Sequence, residues 1–290
     1  MSGEGRLRRI RHPGPVAPVR HAKARGRLVP LRFRVEAGEA MEAGLGRGVL
    51  EAGCASAYVS ISGARMEPFR YVMPAGSPGP SHAAWYSEIY APKGGVHVQE
   101  AGAIIGERDG APFVHCHGLW RAAGADIAMG HMLPNESFAG EAVTVTGFGL
   151  KGAAFRSRED AETNFRLFSA EGTGAAVPNG PLNDHRRAFA ITLRPNQDVS
   201  EALEAIAAEC GFDRAAIYGI GSLNGARFET GPAMDSYASE LLIRDGRLEK
   251  GRVRLDVAVV AMDGRIFEGV LRRGENPVCV TFEIVLVPDA

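Results

Sequence analysis

"FRVEAGEAMEAGLGRGVLEAGCASAYVSISGAR" (residues 33–65) and "ITLRPNQDVSEALEAIAAECGFDRAAIYGIGSLNGAR" (residues 191–227) share one layout. Each reads as a short strand, a turn, an amphipathic helix stopped by Gly, and a β-branched strand running into Gly. Val35 matches Leu193, Gly53 matches Gly211 and Gly63 matches Gly221, every pair 158 positions apart. A spacing held over a whole strand-helix-strand marks an internal repeat.

In the second copy, Asp198 or Ser200 can cap a helix whose apolar positions Val199, Leu203, Ile206 and Ala207 recur at helical spacing, with Gly211 as its stop. The first copy's helix is the weaker one, because Gly44, Gly46 and Gly48 each cost about 1 kcal/mol relative to Ala. Strands follow in both copies. Residues 252–290 read as a meander: Val253, Leu255, Val257 and Val259 alternate, "MDGR" makes a tight Asp-Gly turn, and "VCVTFEIVLV" closes the unit. The first copy ends similarly in "FVHCHGLWRAAGADIAMGHMLPNESFAGEAVTVTGFGL" (113–150). Gly130 and Gly269 are 139 positions apart rather than 158, so the first copy carries about 19 extra residues, around "YVMPAGSPGPSHAAWYSEIYAPKGG" (71–95). Residues 151–185 read as a linker, acidic at first and then rich in Gly, Pro and Asn.

A chain of 290 residues with 45% hydrophobic and 23% charged composition fills one large core or two ordinary ones. Charges interrupt every apolar stretch before a spanning length, and no hydrophobic block follows the N-terminal arginines. The expectation is a cytoplasmic protein with no membrane span. Cys54, Cys116, Cys210 and Cys279 are widely spaced and form no CxxC pair, as expected of reduced thiols. The net charge of -1 hides an uneven distribution: Arg6, Arg8, Arg9, Arg11, Arg20, Lys23, Arg25 and Arg27 crowd a segment where Glu4 is the single acid. Such an arm can neutralise DNA phosphates, stay solvated, or pack along a neighbouring subunit.

"FVHCHGLW" (113–120) places His115 and His117 two apart, on one face of a strand. A hairpin through "RAAGAD" returns His131 to the adjacent strand. Three neutral imidazoles on paired strands suit Zn²⁺ or another divalent transition ion with a position left for water or substrate. The same H-x-H spacing also suits two hydrogen-bonded core histidines.

Several stretches resemble the PPC domain, also called the PD1-like DNA-binding domain, in its prokaryotic form. They are "FDRAAIYGIGSLNGARF" (212–228) with "VCVTFEIVLV", and "VHCHGLW" with "GHMLPNESFAGEAVTV" (130–145). The resemblance covers nearly all of both copies. It implies an α+β fold of two tandem PPC-like domains, each a mixed, mainly antiparallel sheet packed with helices. The expected division is a basic arm over 1–29, a first domain over 30–150, the linker over 151–185 and a second domain over 186–290. It also implies a homo-oligomer, a trimer in single-domain members, and a metal held by the H-x-H pair and the later His, here His115, His117 and His131. Two departures limit it. Arg254, Asp256 and Val270 stand where the first copy has its histidines, so the second copy is expected to be a metal-free structural partner. In "KARGRLVP" (23–30), Arg25-Gly26-Arg27 is followed by Leu28 where an AT-hook has Pro, which leaves only the electrostatic half of a minor-groove motif.

A three-histidine site supports hydrolysis, decarboxylation or enolisation of a small carboxylate or carbonyl ligand, and such chemistry needs a proton carrier. Glu136, five residues after His131, is the first candidate and Glu88 the second. Tyr71 and Tyr86, with Trp85, can wall a pocket, and Arg70 can bind a substrate carboxylate. Ordinary loop packing is the competing reading for each of these. The competing function is a DNA-binding regulator that uses the basic arm; a ligand-sensing or structural module is the third.

Overall fold

The computed structural model describes residues 8–174 and 187–289. The chain opens with β1 (His21–Val35), α1 (Met41–Glu51) and β2 (Ser56–Met66). The extra residues of the first copy form short β3 (Tyr71–Val72), β4 (Pro74–Ala75) and β5 (Trp85–Tyr86). Long β6 (Val96–Arg108) and β7 (Ala111–Ala122) follow, then β8 (Ile127–Met132) and β9 (Val143–Lys151). A hairpin, β10 (Ala153–Glu159) and β11 (Arg166–Gly172), leads to the second copy. There β12 (Arg187–Leu193), α2 (Val199–Cys210) and β13 (Ala215–Leu223) repeat the opening. The copy ends with β14 (Ser239–Glu249), β15 (Arg252–Ala261), β16 (Ile266–Val270) and β17 (Val278–Pro288).

The main path of the sheet runs β16-β15-β14-β13-β17-β12-β1-β9-β2-β6-β7-β8-β3. From the β12–β1 seam outward, both directions show the same sequence of equivalents: β12, β17, β13, β14, β15, β16 on one side and β1, β9, β2, β6, β7, β8 on the other. Because β1 and β12 are antiparallel, the two copies are related by an approximate two-fold axis through the seam. The internal repeat is therefore structural, and the fold is α+β and mainly antiparallel, with the two copies sharing one sheet.

Each helix covers the outer face of its own copy. Val199, Leu203 and Ile206 of α2 bury against strand residues such as Leu255, Val257 and Ile284. Met41, Leu45 and Val49 of α1 do the same against Val59, Ile105 and Val114. A third cluster joins the copies: Tyr58, Ile104 and Leu119 pack with Ile220, Leu242 and Val260. The sheet thus folds over at its seam, and the inner faces of the two copies meet.

Three expectations need correction. Residues 21–29, read as part of a basic arm, are the first half of β1 in the middle of the sheet, where Arg25 pairs with Phe189 and Gly26 with Ala188. Arg6 lies outside the described residues. The segment read as linker contains β10 and β11, although residues 175–185 of it also lie outside the described residues. Finally, β17 does not continue a meander beside β16; it crosses to lie between β12 and β13. Among the described residues no helix is long and apolar enough to cross a membrane, and the four cysteines are free thiols.

Candidate metal centre and its cavity

Strand alternation sends Val114 and Cys116 of β7 to the outer core and His115 and His117 to the inner face. The β7–β8 hairpin sets His117 directly opposite His131. In the second copy Asp256 and Val270 occupy the equivalent paired positions, so that copy lacks the histidine cluster. It is not a passive partner, however. Because the inner faces meet, β14 and β17 present Glu240 and Glu283 to the three imidazoles.

One proton is fixed by geometry: His117 Nδ1 lies 2.9 Å from the Leu241 carbonyl oxygen, and a carbonyl only accepts, so Nδ1 carries the hydrogen. Its Nε2 faces His115 Nε2 at 2.9 Å and Glu240 Oε2 at 2.8 Å. On the other side of the His115 ring, Nδ1 lies 3.2 Å from Glu283 Oε2, which, like the buried His131 Nδ1, makes no hydrogen bond. A cation at the focus of these nitrogen and carboxylate lone pairs would satisfy several of them at once. The ligand atoms of His115, His117, His131 and Glu240 all lie within 4.8 Å of one another. Three imidazoles and a carboxylate are a donor set that fits a divalent transition ion.

Burial drives the His117 pKa down, but Glu240, the hydrogen bond to it and the Leu241 carbonyl outweigh burial and raise it overall. His131 goes the other way: burial first, then His115 and His117, hold it well below its ordinary value. It is a neutral imidazole in the physiological range. Cys116 and Cys279 are pushed up to about 12 by burial.

The cluster forms one wall of a cavity of about 360 Å³. Its roof is built from the two segments that read as loop and linker. Asn164 Nδ2 donates to the Ser81 carbonyl at 2.9 Å, and Trp85 stacks on Phe165 with ring centres 5.4 Å apart. Tyr86 closes over His131 edge-on at 5.2 Å. Of the residues singled out in the sequence, the cavity gathers His115, His117, His131 and Tyr86. It does not gather Glu136, Glu88, Arg70 or Tyr71. Glu136 forms a half-exposed ion pair with Arg70 at 3.3 Å, because the turn after Leu133 directs it along the surface and not back to the cluster. Glu88 is exposed. Tyr71 is buried in the aromatic stack of Tyr90 and Trp120.

Sequence reasoning missed Glu240, Glu283, Arg108 and Phe165. For Glu283 a signal existed: a carboxylate within "VCVTFEIVLV" cannot be buried without a partner. Glu240 in "SELLI" carries a weaker form of it.

Residues 183–288 match the model of the Plants and Prokaryotes Conserved (PCC) domain. No curated protein matches the chain. Among solved structures, a plant- and prokaryote-conserved (PPC) protein from Pyrococcus horikoshii is 17% identical, covering 53% of this chain and 97% of its own, with a TM-score of 0.40. A metal-containing protein from Archaeoglobus fulgidus is 19% identical, covering 48% and 92%, with a TM-score of 0.39. A protein from Ralstonia eutropha, provisionally described as DNA-binding, is 15% identical, covering 48% and 89%, with a TM-score of 0.35. The match to the PCC domain model thus falls on the second copy.

Proposed function

We propose that the chain is a tandem PCC protein whose first copy holds a divalent transition ion, zinc foremost, through His115, His117 and His131. Glu240 from the second copy completes the donor set. The observation that carries this reading is the inward convergence of the His115 and His117 Nε2 atoms, a neutral buried His131 and a carboxylate. The ion would serve an enzyme acting on a small carboxylate or carbonyl compound in the adjoining cavity. When bound, such an ion polarises a carbonyl and makes water more acidic. Glu283 and the Leu241 carbonyl orient the ligating rings, while Trp85, Tyr86 and Phe165 exclude bulk water. Glu136 and Glu88 have no part in it.

Metal analysis of protein purified without chelator tests the reading: about one ion per chain is expected, lost in His117→Ala while circular dichroism stays native. Two tightly held ions per chain, or none after reconstitution with Zn²⁺, Mn²⁺, Fe²⁺, Co²⁺ and Ni²⁺, would defeat it.

DNA binding through the N-terminal basic residues is the weaker reading. Arg20 is bonded to Glu162 at 2.6 Å, Lys23 pairs with Glu209, and Arg25 to Arg27 are held in the sheet. Any duplex binding is expected to rest on phosphate contacts by exposed arginines such as Arg9 and Arg11, to fall steeply with salt and to show little sequence preference. Gel-shift titrations at two salt concentrations check this.

A further inference from the structure

Two arginines line the cavity, and they differ in one respect. Arg166 is neutralised, with Nη1 and Nη2 on Asp109 at 2.9 and 2.8 Å and Nε 3.3 Å from Glu159. Arg108 has no carboxylate partner among the described residues. Its Nε reaches Ser157 Oγ at 3.3 Å, and its guanidinium lies 4.2 Å from the centre of the Phe113 ring. The ring holds the guanidinium plane in place while its terminal N–H groups stay available, an arrangement suited to a carboxylate.

Five aromatic side chains also line it: Phe113, Phe165, Phe168, Trp85 and Tyr86. A volume of about 360 Å³ is near the lower end of small-molecule sites, which run from about 300 to 1,000 Å³. It suits a single substituted ring and excludes nucleotides. The charges narrow the choice further. Glu240 and Glu283 bring two negative charges, a divalent ion cancels them, and Arg108 leaves one positive charge over. This count rests on the metal-centre reading above. A monoanion restores neutrality, whereas a dianion brings in a second charge with no partner.

We infer that the cavity binds an aromatic monocarboxylate, its carboxylate on Arg108 and its ring among the aromatic walls beside the histidine cluster. Arg108 takes the role that the sequence suggested for Arg70.

Calorimetric titration of the full, metal-loaded chain with benzoate, benzamide and succinate provides the test. Benzoate is expected to bind, with benzamide about 10-fold weaker or more and succinate also weaker. Arg108→Gln should weaken benzoate by about 10- to 100-fold with metal content and Tm unchanged, and Arg108→Lys should recover part of the loss. No benzoate binding, equal binding of benzamide, tighter binding of succinate, or a full-affinity Arg108→Gln would each overturn the inference. The benzoate-to-benzamide comparison needs no variant, so it decides even if Arg108→Gln folds poorly. Metal content measured on the same samples keeps the two readings apart: a chain that takes up no ion defeats the metal centre, while an Arg108-dependent preference for benzoate stands or falls separately.

Discussion

At the scale of single residues, the imidazoles matter less than the groups that hold them. The Leu241 carbonyl fixes which nitrogen of His117 carries the hydrogen and Glu283 lies 3.2 Å from His115 Nδ1, and outer partners of this kind are worth about 10- to 100-fold in metal affinity. Glu283→Gln is therefore expected to weaken metal binding by that factor without loss of fold, measurable by competition with a chromogenic chelator; unchanged affinity would show that His115 needs no such orientation. His12 offers a second case. Its Nε2 donates to the Cys279 carbonyl at 2.8 Å, and its buried Nδ1 has no partner. Burial, opposed by that hydrogen bond and by Glu162 and Asp160, lowers its pKa below the ordinary 6.5. Between the two values the unfolded chain holds more protons than the folded one, so stability rises with pH. The contribution is complete above pH 6.5 and is lost progressively as pH falls below it toward the folded-state value. Urea unfolding of wild type and His12→Asn between pH 8 and pH 5 should show the stability gap closing as pH falls; a constant gap would contradict the assignment. The histidine triplet was legible in the sequence because its members lie on one hairpin. Glu240 and Glu283 were not legible as site residues, because they reach it only through packing of a second copy more than 100 positions away.

At the scale of elements, the two helices teach opposite lessons. For α2 the local signals sufficed: Asp198 accepts from the Glu201 N–H at 2.9 Å, and Gly211 adopts the left-handed conformation with φ 76°. Asp198 also accepts from the buried Asn276 N–H at 2.8 Å, tying the helix start to the loop before β17. Asp198→Ala should cost about 1–3 kcal/mol, read from the urea midpoint. For α1 the glycines looked like a weakness, yet they face the sheet. A methyl at Gly44 would lie 2.6 Å from Val35 Cγ1, and one at Gly46 would lie 2.6 Å from Pro112 Cβ. Their absence lets the helix sit close on β1 and β7. Gly44→Ala, which helix propensity alone would make stabilising by about 1 kcal/mol, should instead destabilise by about 1–3 kcal/mol through overpacking. A higher urea midpoint for Gly44→Ala would refute the close-packing account. Propensity is a property of the segment, and the contact that reverses it lies in another strand.

At the scale of the whole molecule, the repeat was legible and the seam was not. In β1 the seam-side buried positions are Ala24, Gly26 and Leu28, so small residues mute the alternation while Lys23, Arg25 and Arg27 advertise a basic arm. The strand's partner, β12, lies in the other copy, out of reach of any local pattern. One continuous sheet and a shared inner core imply that the copies unfold together. A single calorimetric transition is expected, with van't Hoff and calorimetric enthalpies equal. Because the histidine cluster and Glu240 come from different copies, chelation should move that one transition to lower temperature without splitting it. Two separated transitions would mean that the copies are energetically independent.

The tie between His12 and the Cys279 carbonyl spans 267 positions, and Ile10 is similarly bonded to Asn196. On a ribosome adding roughly 5–20 residues per second, the partner of His12 emerges on the order of 15 to 50 s after it does. Within that interval the β12 side of β1 stays bare until residues 187–193 emerge, 160 to 172 positions after the residues they pair with, an open row of backbone donors and acceptors on a nascent chain. Birth order thus leaves one edge of β1 open until the second copy begins to emerge, and translation speed sets how long a neighbouring chain has to reach it.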